Sequence, residues 1–109
     1  MRVLFHPGFA KEIRQYESEY AIVSQGLATR FRHEIQIAIE AIKSSPGGAG
    51  HILNLGSSLV RNLRRRNLRT FPFFVLYGFD EQNLFFGSVI PSRSDPLKWL
   101  ARFPQPPKV

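Results

Sequence analysis

Leu63-Arg64-Arg65-Arg66-Asn67-Leu68-Arg69-Thr70-Phe71-Pro72-Phe73-Phe74-Val75-Leu76-Tyr77 runs a knot of arginines straight into an aromatic and β-branched segment. Phe73 to Phe79 reads as a strand, and Leu84 to Ile90 as a second. Asp80-Glu81-Gln82-Asn83 joins them as a hairpin with a four-residue loop. Both runs are apolar at both parities, the mark of central strands covered on both faces. The basic stretch Leu59 to Arg69 supplies the preceding strand. Leu63 and Leu68 have opposite parity within it, so a bulge or a twisted edge is expected there.

Working outward, the N-terminal half carries a different period. Arg2 to Phe5 forms a short first strand, closed by His6-Pro7-Gly8. Phe9, Ile13, Tyr16, Tyr20 and Val23 then fall on one helical stripe, while Lys11, Glu12, Arg14, Glu17 and Glu19 take the remaining surface. Leu27, Phe31, Ile35, Ala38 and Ile42, broadened by Ile39, mark a second helix. Ser24-Gln25-Gly26 is too short a link for anything but an antiparallel hairpin. Pro46 and the glycines of Ser44-Ser45-Pro46-Gly47-Gly48-Ala49-Gly50 end the second helix. Downstream of the strands, Asp95-Pro96-Leu97-Lys98-Trp99-Leu100 predicts an N-capped short helix, and Phe103-Pro104-Gln105-Pro106-Pro107 cannot extend it. The predicted fold is α+β: a helical hairpin on a small, mainly antiparallel sheet, in the order β-α-α-β-β-β with a short C-terminal helix.

Composition bounds the function. A chain of 109 residues that is 43% hydrophobic supports one domain, residues 1–109, and not two independent cores. There is no cysteine, so disulfides, thiolate metal sites and cysteine nucleophiles are excluded. The apolar run Phe71 to Phe79 contains Pro72 and is far shorter than the ~20 residues that span a bilayer. Neither a membrane helix nor a signal peptide is expected, which predicts a cytoplasmic protein. The net charge of +7 is uneven: residues 51–109 hold nine basic and three acidic side chains, hence +6, and residues 1–50 hold six and five. Such an excess favours nucleic acid or an acidic protein segment as partner.

Candidate chemistry concentrates in Arg61, Arg64, Arg65, Arg66 and Arg69, with no acidic residue from Ala49 through Phe79. Planar guanidinium donors suit phosphate and can stabilise charge developing at phosphorus. Strand alternation lets about half of them share a face, and Arg93 could converge on that groove from a sheet neighbour. The competing account is a solvated edge strand kept soluble by its charge. Tyr77 could stack on a base or move a proton, against the commoner role of a core tyrosine with a satisfied hydroxyl. His51 is the histidine to test as a general base, whereas His6 and His33 read as structural or exposed. Gly47-Gly48-Ala49-Gly50 lacks the lysine and Ser/Thr of a phosphate-binding loop and reads as a hinge. Glutamates on amphipathic helices read as solvated, so neither a metal site nor glycosidase chemistry has support, and no cofactor is expected.

The arginine strand, with Arg69-Thr70-Phe71-Pro72-Phe73-Phe74-Val75-Leu76-Tyr77, resembles the "R-x-F-P-[YF]-x-[VI]-x-Y" pattern of the RelE/ParE toxins of type II toxin-antitoxin systems, the plasmid-stabilisation proteins. Val89-Ile90-Pro91-Ser92-Arg93-Ser94-Asp95-Pro96-Leu97-Lys98-Trp99 is similar to that family's closing "A-x-x-H-x-R-R-D-P-x-x-W", and Phe5-His6-Pro7 before an amphipathic helix matches its opening. The resemblance implies a toxin neutralised by a cognate antitoxin with an extended, acidic C-terminal segment. Its target would be ribosome-bound mRNA, cut without a metal by attack of the ribose 2'-hydroxyl on the adjacent phosphate, or DNA gyrase. Pro91 stands where many family nucleases have His, and Ser92 and Ser94 flank a lone Arg93 where two arginines are common. A nuclease would therefore hold phosphate with Arg64, Arg65, Arg69 and Arg93 and move protons with Tyr77 or His51. The block Arg61, Arg64, Arg66, Arg69 and Ser92 would bind nucleic acid or antitoxin. The alternatives are a noncatalytic basic nucleic-acid-binding module and a toxin fold that has lost its activity; a homodimer remains open.

Overall fold

The computed structural model describes residues 1–53 and 63–103. The chain runs β1 (Arg2–Phe5), α1 (Pro7–Val23), α2 (Gln25–Ser44), β2 (His51–Ile52), β3 (Leu63–Asn67), β4 (Phe73–Phe79), β5 (Asn83–Pro91) and a C-terminal 3-10 helix (Pro96–Arg102). The strands form one five-stranded sheet in the order β1-β5-β4-β3-β2, antiparallel except for the parallel pair β1–β5. The architecture is the predicted α+β one, with the two-residue edge strand β2 added. Leu59, Val60 and Arg61, placed at the start of the basic strand by sequence, lie outside the described residues.

Local chemistry sets the element ends. His6 is the N-cap of α1, its Nδ1 accepting from the Gly8 N–H at 3.0 Å, and Pro7 follows at a position that needs no donor. The helical link is tighter than expected: Ser24 alone separates α1 from α2. Its N–H donates to the Tyr20 carbonyl at 2.9 Å and its Oγ accepts from the Leu27 N–H at 3.3 Å, so one residue caps both helices. The loop between β4 and β5 is held by Asp80, whose Oδ1 accepts from the Gln82 and Asn83 N–H groups. Asp95 likewise caps the 3-10 helix through the Leu97 N–H.

The sheet is packed on both faces. The helical hairpin covers one face, burying Phe9, Ile13, Phe31, Ile35 and Ile42 against Val75, Tyr77, Leu84, Phe86 and Val89. Tyr16, Tyr20, Phe31, Phe71 and Phe73 add an aromatic cluster there, with Tyr20 and Phe71 edge to face at 5.0 Å between centroids. On the other face Phe103 closes over Leu63, Phe74, Leu76 and Ile90, with Trp99 and Leu100 beside it. The stripe assigned to α1 fails at its end, since Val23 is 74% exposed at the hairpin tip, beyond the reach of the sheet.

Two-sided burial resolves the parity of Leu63 and Leu68. Leu63 packs in the cluster under the 3-10 helix and Leu68 in the cluster under the hairpin, and β3 pairs with β4 in unbroken register from Leu63↔Gly78 to Asn67↔Phe74. The expected bulge is absent from β3. It lies in β5, where the register jumps from Leu76↔Ser88 to Tyr77↔Phe86 and leaves Gly87 as the extra residue. A Cβ on Gly87 would sit 2.4 Å from the Phe103 ring, so glycine is what lets that ring settle on the bulge.

Candidate functional site: the arginine strand and its open edge

Pairing across β3 and β4 divides the arginines by face. Arg64 and Arg66 stand opposite Tyr77 and Val75, both hairpin-face residues, whereas Arg65 stands opposite Leu76 on the other face. Arg64 and Arg66 turn to the link between α2 and β2. Arg66 Nη1 donates to the Ala49 carbonyl at 2.8 Å, Arg64 Nη1 to the Gly50 carbonyl at 3.4 Å, and Tyr77 Oη to the Pro46 carbonyl at 2.7 Å. Three donors thus clasp a segment whose carbonyls have no helix or sheet to satisfy them. The Arg64 guanidinium also lies 5.4 Å from the Phe79 ring centre. Its Nε is buried without a hydrogen-bond partner among the described residues.

The fit at this clasp is close. A Cβ on Gly50 would meet Tyr77 Oη at 2.7 Å and the Arg65 carbonyl at 2.8 Å, so the link can cross here only as glycine. Tyr77 has no exposed surface. Burial pushes its hydroxyl above the ordinary tyrosine range, against a smaller opposite pull from Arg64 and Arg66.

Arg65 is placed differently. Its guanidinium stacks on the Phe74 ring at 3.9 Å from the centroid, and its Nε donates to Asn67 Oδ1 at 3.0 Å. β2 pairs only with Arg64 and Arg65, so β3 runs past it. The result is an open cleft of about 330 Å³ lined by Ala49, Gly50, His51, Arg66, Asn67 and Arg69. His51 and Arg69 are exposed there. The cleft offers the exposed Arg69 guanidinium and the His51 imidazole beside an Arg66 guanidinium whose Nη1 is already on the Ala49 carbonyl, a cationic lining suited to a carboxylate or a phosphate.

Below the cleft, Glu34 of α2 reaches the turn after β3. Its Oε1 accepts from the Thr70 N–H at 2.8 Å, and its Oε2 takes the Thr70 hydroxyl. Partial burial works against its charge, but hydrogen bonds from Thr70 and from the Arg69 and Phe71 N–H groups outweigh it and hold the carboxyl below the usual value of 4.5. Glu34 is therefore the anchor of the Arg69 turn and not the solvated glutamate expected.

Of the residues singled out by sequence, His51, Arg66 and Arg69 come together in the cleft, with Arg65 adjoining through Asn67. Tyr77 and Arg64 lie behind it, engaged with the link. Ser92 and Arg93 are exposed in the turn after β5, where the Ser92 N–H donates to the Pro72 carbonyl at 2.9 Å. Arg61 is outside the described residues. Among those described, no group of three His, Asp or Glu side chains is arranged to hold a metal ion.

A second polar cluster was not expected. Glu12 Oε1 accepts from Ser88 Oγ at 2.8 Å, from Arg102 Nη1 at 3.1 Å and from the Val89 N–H at 3.3 Å, while Arg102 Nη1 also donates to the Gly87 carbonyl at 3.0 Å. β1 ends at Phe5, so among the described residues β5 has no strand partner on that side beyond Phe86. Glu12 and Arg102 fill the place of the missing strand. The sequence signal was available: Glu12 lies three residues after Phe9 and four before Tyr16, inside the apolar arc of α1.

No protein-family profile matches the sequence, and no curated protein matches it. The fold has a solved counterpart. It is similar to a chain of the chromosomal ParDE TA system from P. aeruginosa, with a TM-score of 0.64 and 17% identity over 84% of this chain and 95% of that one.

Proposed function

We propose that this chain is the toxin of a toxin-antitoxin pair, held inactive by a partner whose acidic segment engages the arginine cleft. The carrying observation is the open edge of β3, where His51, Arg66 and Arg69 line one cleft in a chain of ParDE-like fold. A carboxylate there would relieve the mutual repulsion of the cations with charge-assisted hydrogen bonds. Of the two targets, a toxin that acts by binding, as on gyrase, is favoured over a nuclease. Tyr77 is sealed in the core with its hydroxyl on Pro46, and Pro91 occupies the position of the family histidine.

The nuclease reading keeps one observation in its favour: His51 is exposed beside Arg66 and Arg69, a general-base candidate next to phosphate-binding groups. Inducible expression in a bacterium is the first test, and normal growth with soluble, folded protein would overturn the toxin proposal in favour of a binding module or an inactive scaffold. Given arrest, inhibition of purified gyrase supercoiling with transcripts left intact supports the binding toxin. Ribosome-dependent cleavage in primer extension, lost in His51→Ala, would replace it with the nuclease.

A further inference from the structure

Ala49, Gly50 and His51 form one wall of the arginine cleft, and Arg66, Asn67 and Arg69 the other. The first wall has little backbone pairing to hold it. The Ser45 carbonyl accepts from the Gly48 and Ala49 N–H groups at 3.1 and 2.8 Å, which closes a turn but ties it only to the end of α2. The ladder to β3 begins at His51 and β2 is two residues long. Between Pro46 and Gly50, among the described residues, the hydrogen bonds to the sheet are those of the clasp: Tyr77 on Pro46, Arg66 on Ala49 and Arg64 on Gly50.

These donors are not equivalent. Arg66 is itself part of the opposite wall, so an anion in the cleft competes with Ala49 for its guanidinium. Arg64 reaches Gly50 at 3.4 Å, the longest of the contacts. Tyr77 makes the shortest, 2.7 Å, from a ring of β4 with no exposed surface, packed too closely to follow the link if the link moves. Its hydroxyl also abuts Gly50, where a Cβ would lie 2.7 Å from Tyr77 Oη. One rigid side chain thus meets the link at Pro46 and again at Gly50, the residue immediately before His51. Burial keeps the phenol above its ordinary range, so it remains a donor at neutral pH.

We propose that Tyr77 is a positioning residue for the arginine cleft: pressed against the link from behind, it holds the wall of Ala49, Gly50 and His51 at the spacing from Arg69 that lets one carboxylate bridge the imidazole and the guanidinium. The inference rests on the cleft as the anion site of the proposed function. Tyr77 itself touches no ligand and acts through the link alone.

The test uses Tyr77→Phe in the full chain, which keeps the ring and removes the hydroxyl. Ile13→Val, a mild core substitution in α1, controls for lost stability. Two quantities are read: the NMR signals of the His51 imidazole without ligand, and the affinity for a fluorescein-labelled hexaglutamate peptide by anisotropy. Tyr77→Phe is expected to move the His51 signals and to weaken the peptide roughly fivefold or more, the low end of coupling between separate sites. Ile13→Val should change neither. In His51→Ala, where the wall has lost the group it presents, Tyr77→Phe should cost little further affinity.

An unmoved His51 signal or an unchanged affinity in Tyr77→Phe would overturn the proposal. So would an equal loss of affinity in Ile13→Val, or an undiminished effect of Tyr77→Phe in His51→Ala. A natural chain that binds no peptide, or binds it as well in Arg69→Ala, overturns the acidic-partner reading of the cleft; the ligand-free His51 signal then supports or overturns the hold of Tyr77 on the wall by itself.

Discussion

Arg66 and Arg69 line the same cleft, yet they are held in opposite ways. Arg66 lies half-buried on the hairpin face with its guanidinium on the Ala49 carbonyl, whereas Arg69 is exposed in the turn after β3. One basic run is thus divided into cations that assemble the protein, Arg64 and Arg66 within β3, and a cation that a partner can use, Arg69 in the turn beyond it. A count of arginines overstates the binding surface, because Arg64 and Arg66 already serve the chain's own carbonyls. The same division separates Tyr77, which belongs to the clasp, from His51, which belongs to the cleft.

The sharpest way to break this contrast is Arg66→Ala against Arg69→Ala. Losing Arg66 strips a charged donor from the Ala49 carbonyl, and hydrogen bonds to charged groups are worth ~1.5–3 kcal/mol. Chemical denaturation should show a loss of that order for Arg66→Ala and a change within about 0.5 kcal/mol for Arg69→Ala. Affinity for an acidic partner should follow a different order, with Arg69→Ala weakening it while the fold stays intact. Equal stabilities for the two variants would erase the distinction.

Gly87→Ala tests the other face of the sheet. The new methyl would lie 2.4 Å from the Phe103 ring, so the ring must leave its seat on the bulge. Overpacking of this kind costs ~1–3 kcal/mol, readable as a lower denaturation midpoint. Gly87→Ala/Phe103→Ala, measured beside Phe103→Ala alone, sharpens the reading: with the ring gone, the Gly87 substitution should cost little more. Tyr77→Phe comes next. It leaves the ring in the core and removes only the donor to Pro46, for an expected loss of about 1 kcal/mol.

How far the sequence reaches is clear from particular residues. Period and punctuation placed β1, both helices, the β4–β5 hairpin and the Asp95 cap, because burial on one stripe and capping are local in the chain. Opposite parity at Leu63 and Leu68 suggests a bulge or a twisted edge when a strand is assumed to have one buried face. Two buried faces remove the conflict. Glu12 and Glu34 look solvated in the sequence because their partners, Ser88, Arg102 and Thr70, lie 76, 90 and 36 residues away. Alternation divides the arginines between two faces but leaves open which of them share one, because the register of β3 on β4 is a long-range pairing; their destinations are as distant, since Ala49 and Gly50 are 17 and 14 residues from Arg66 and Arg64 and come close only when α2 turns back onto the sheet.

The smallest effect expected is one of pH, at Glu34. Its carboxyl is held below 4.5 in the folded chain by the Thr70 hydroxyl and the N–H groups of the Arg69–Phe71 turn, bonds the unfolded chain lacks. A depressed carboxyl gives stability that is present above the unfolded value near 4.5 and fades as pH falls through the folded one. The difference in unfolding free energy between the natural chain and Glu34→Gln should therefore be flat at neutral pH and shrink on acidification below 4.5. Because this carboxylate lies under the turn that carries Arg69, partner affinity should fall with it in Glu34→Gln, although Glu34 itself faces no partner. Denaturation curves over a pH series, run beside the titration with the acidic partner, read both. A stability difference that grows on acidification, or affinity untouched by Glu34→Gln, would show that the Arg69 turn is set by something other than this carboxylate.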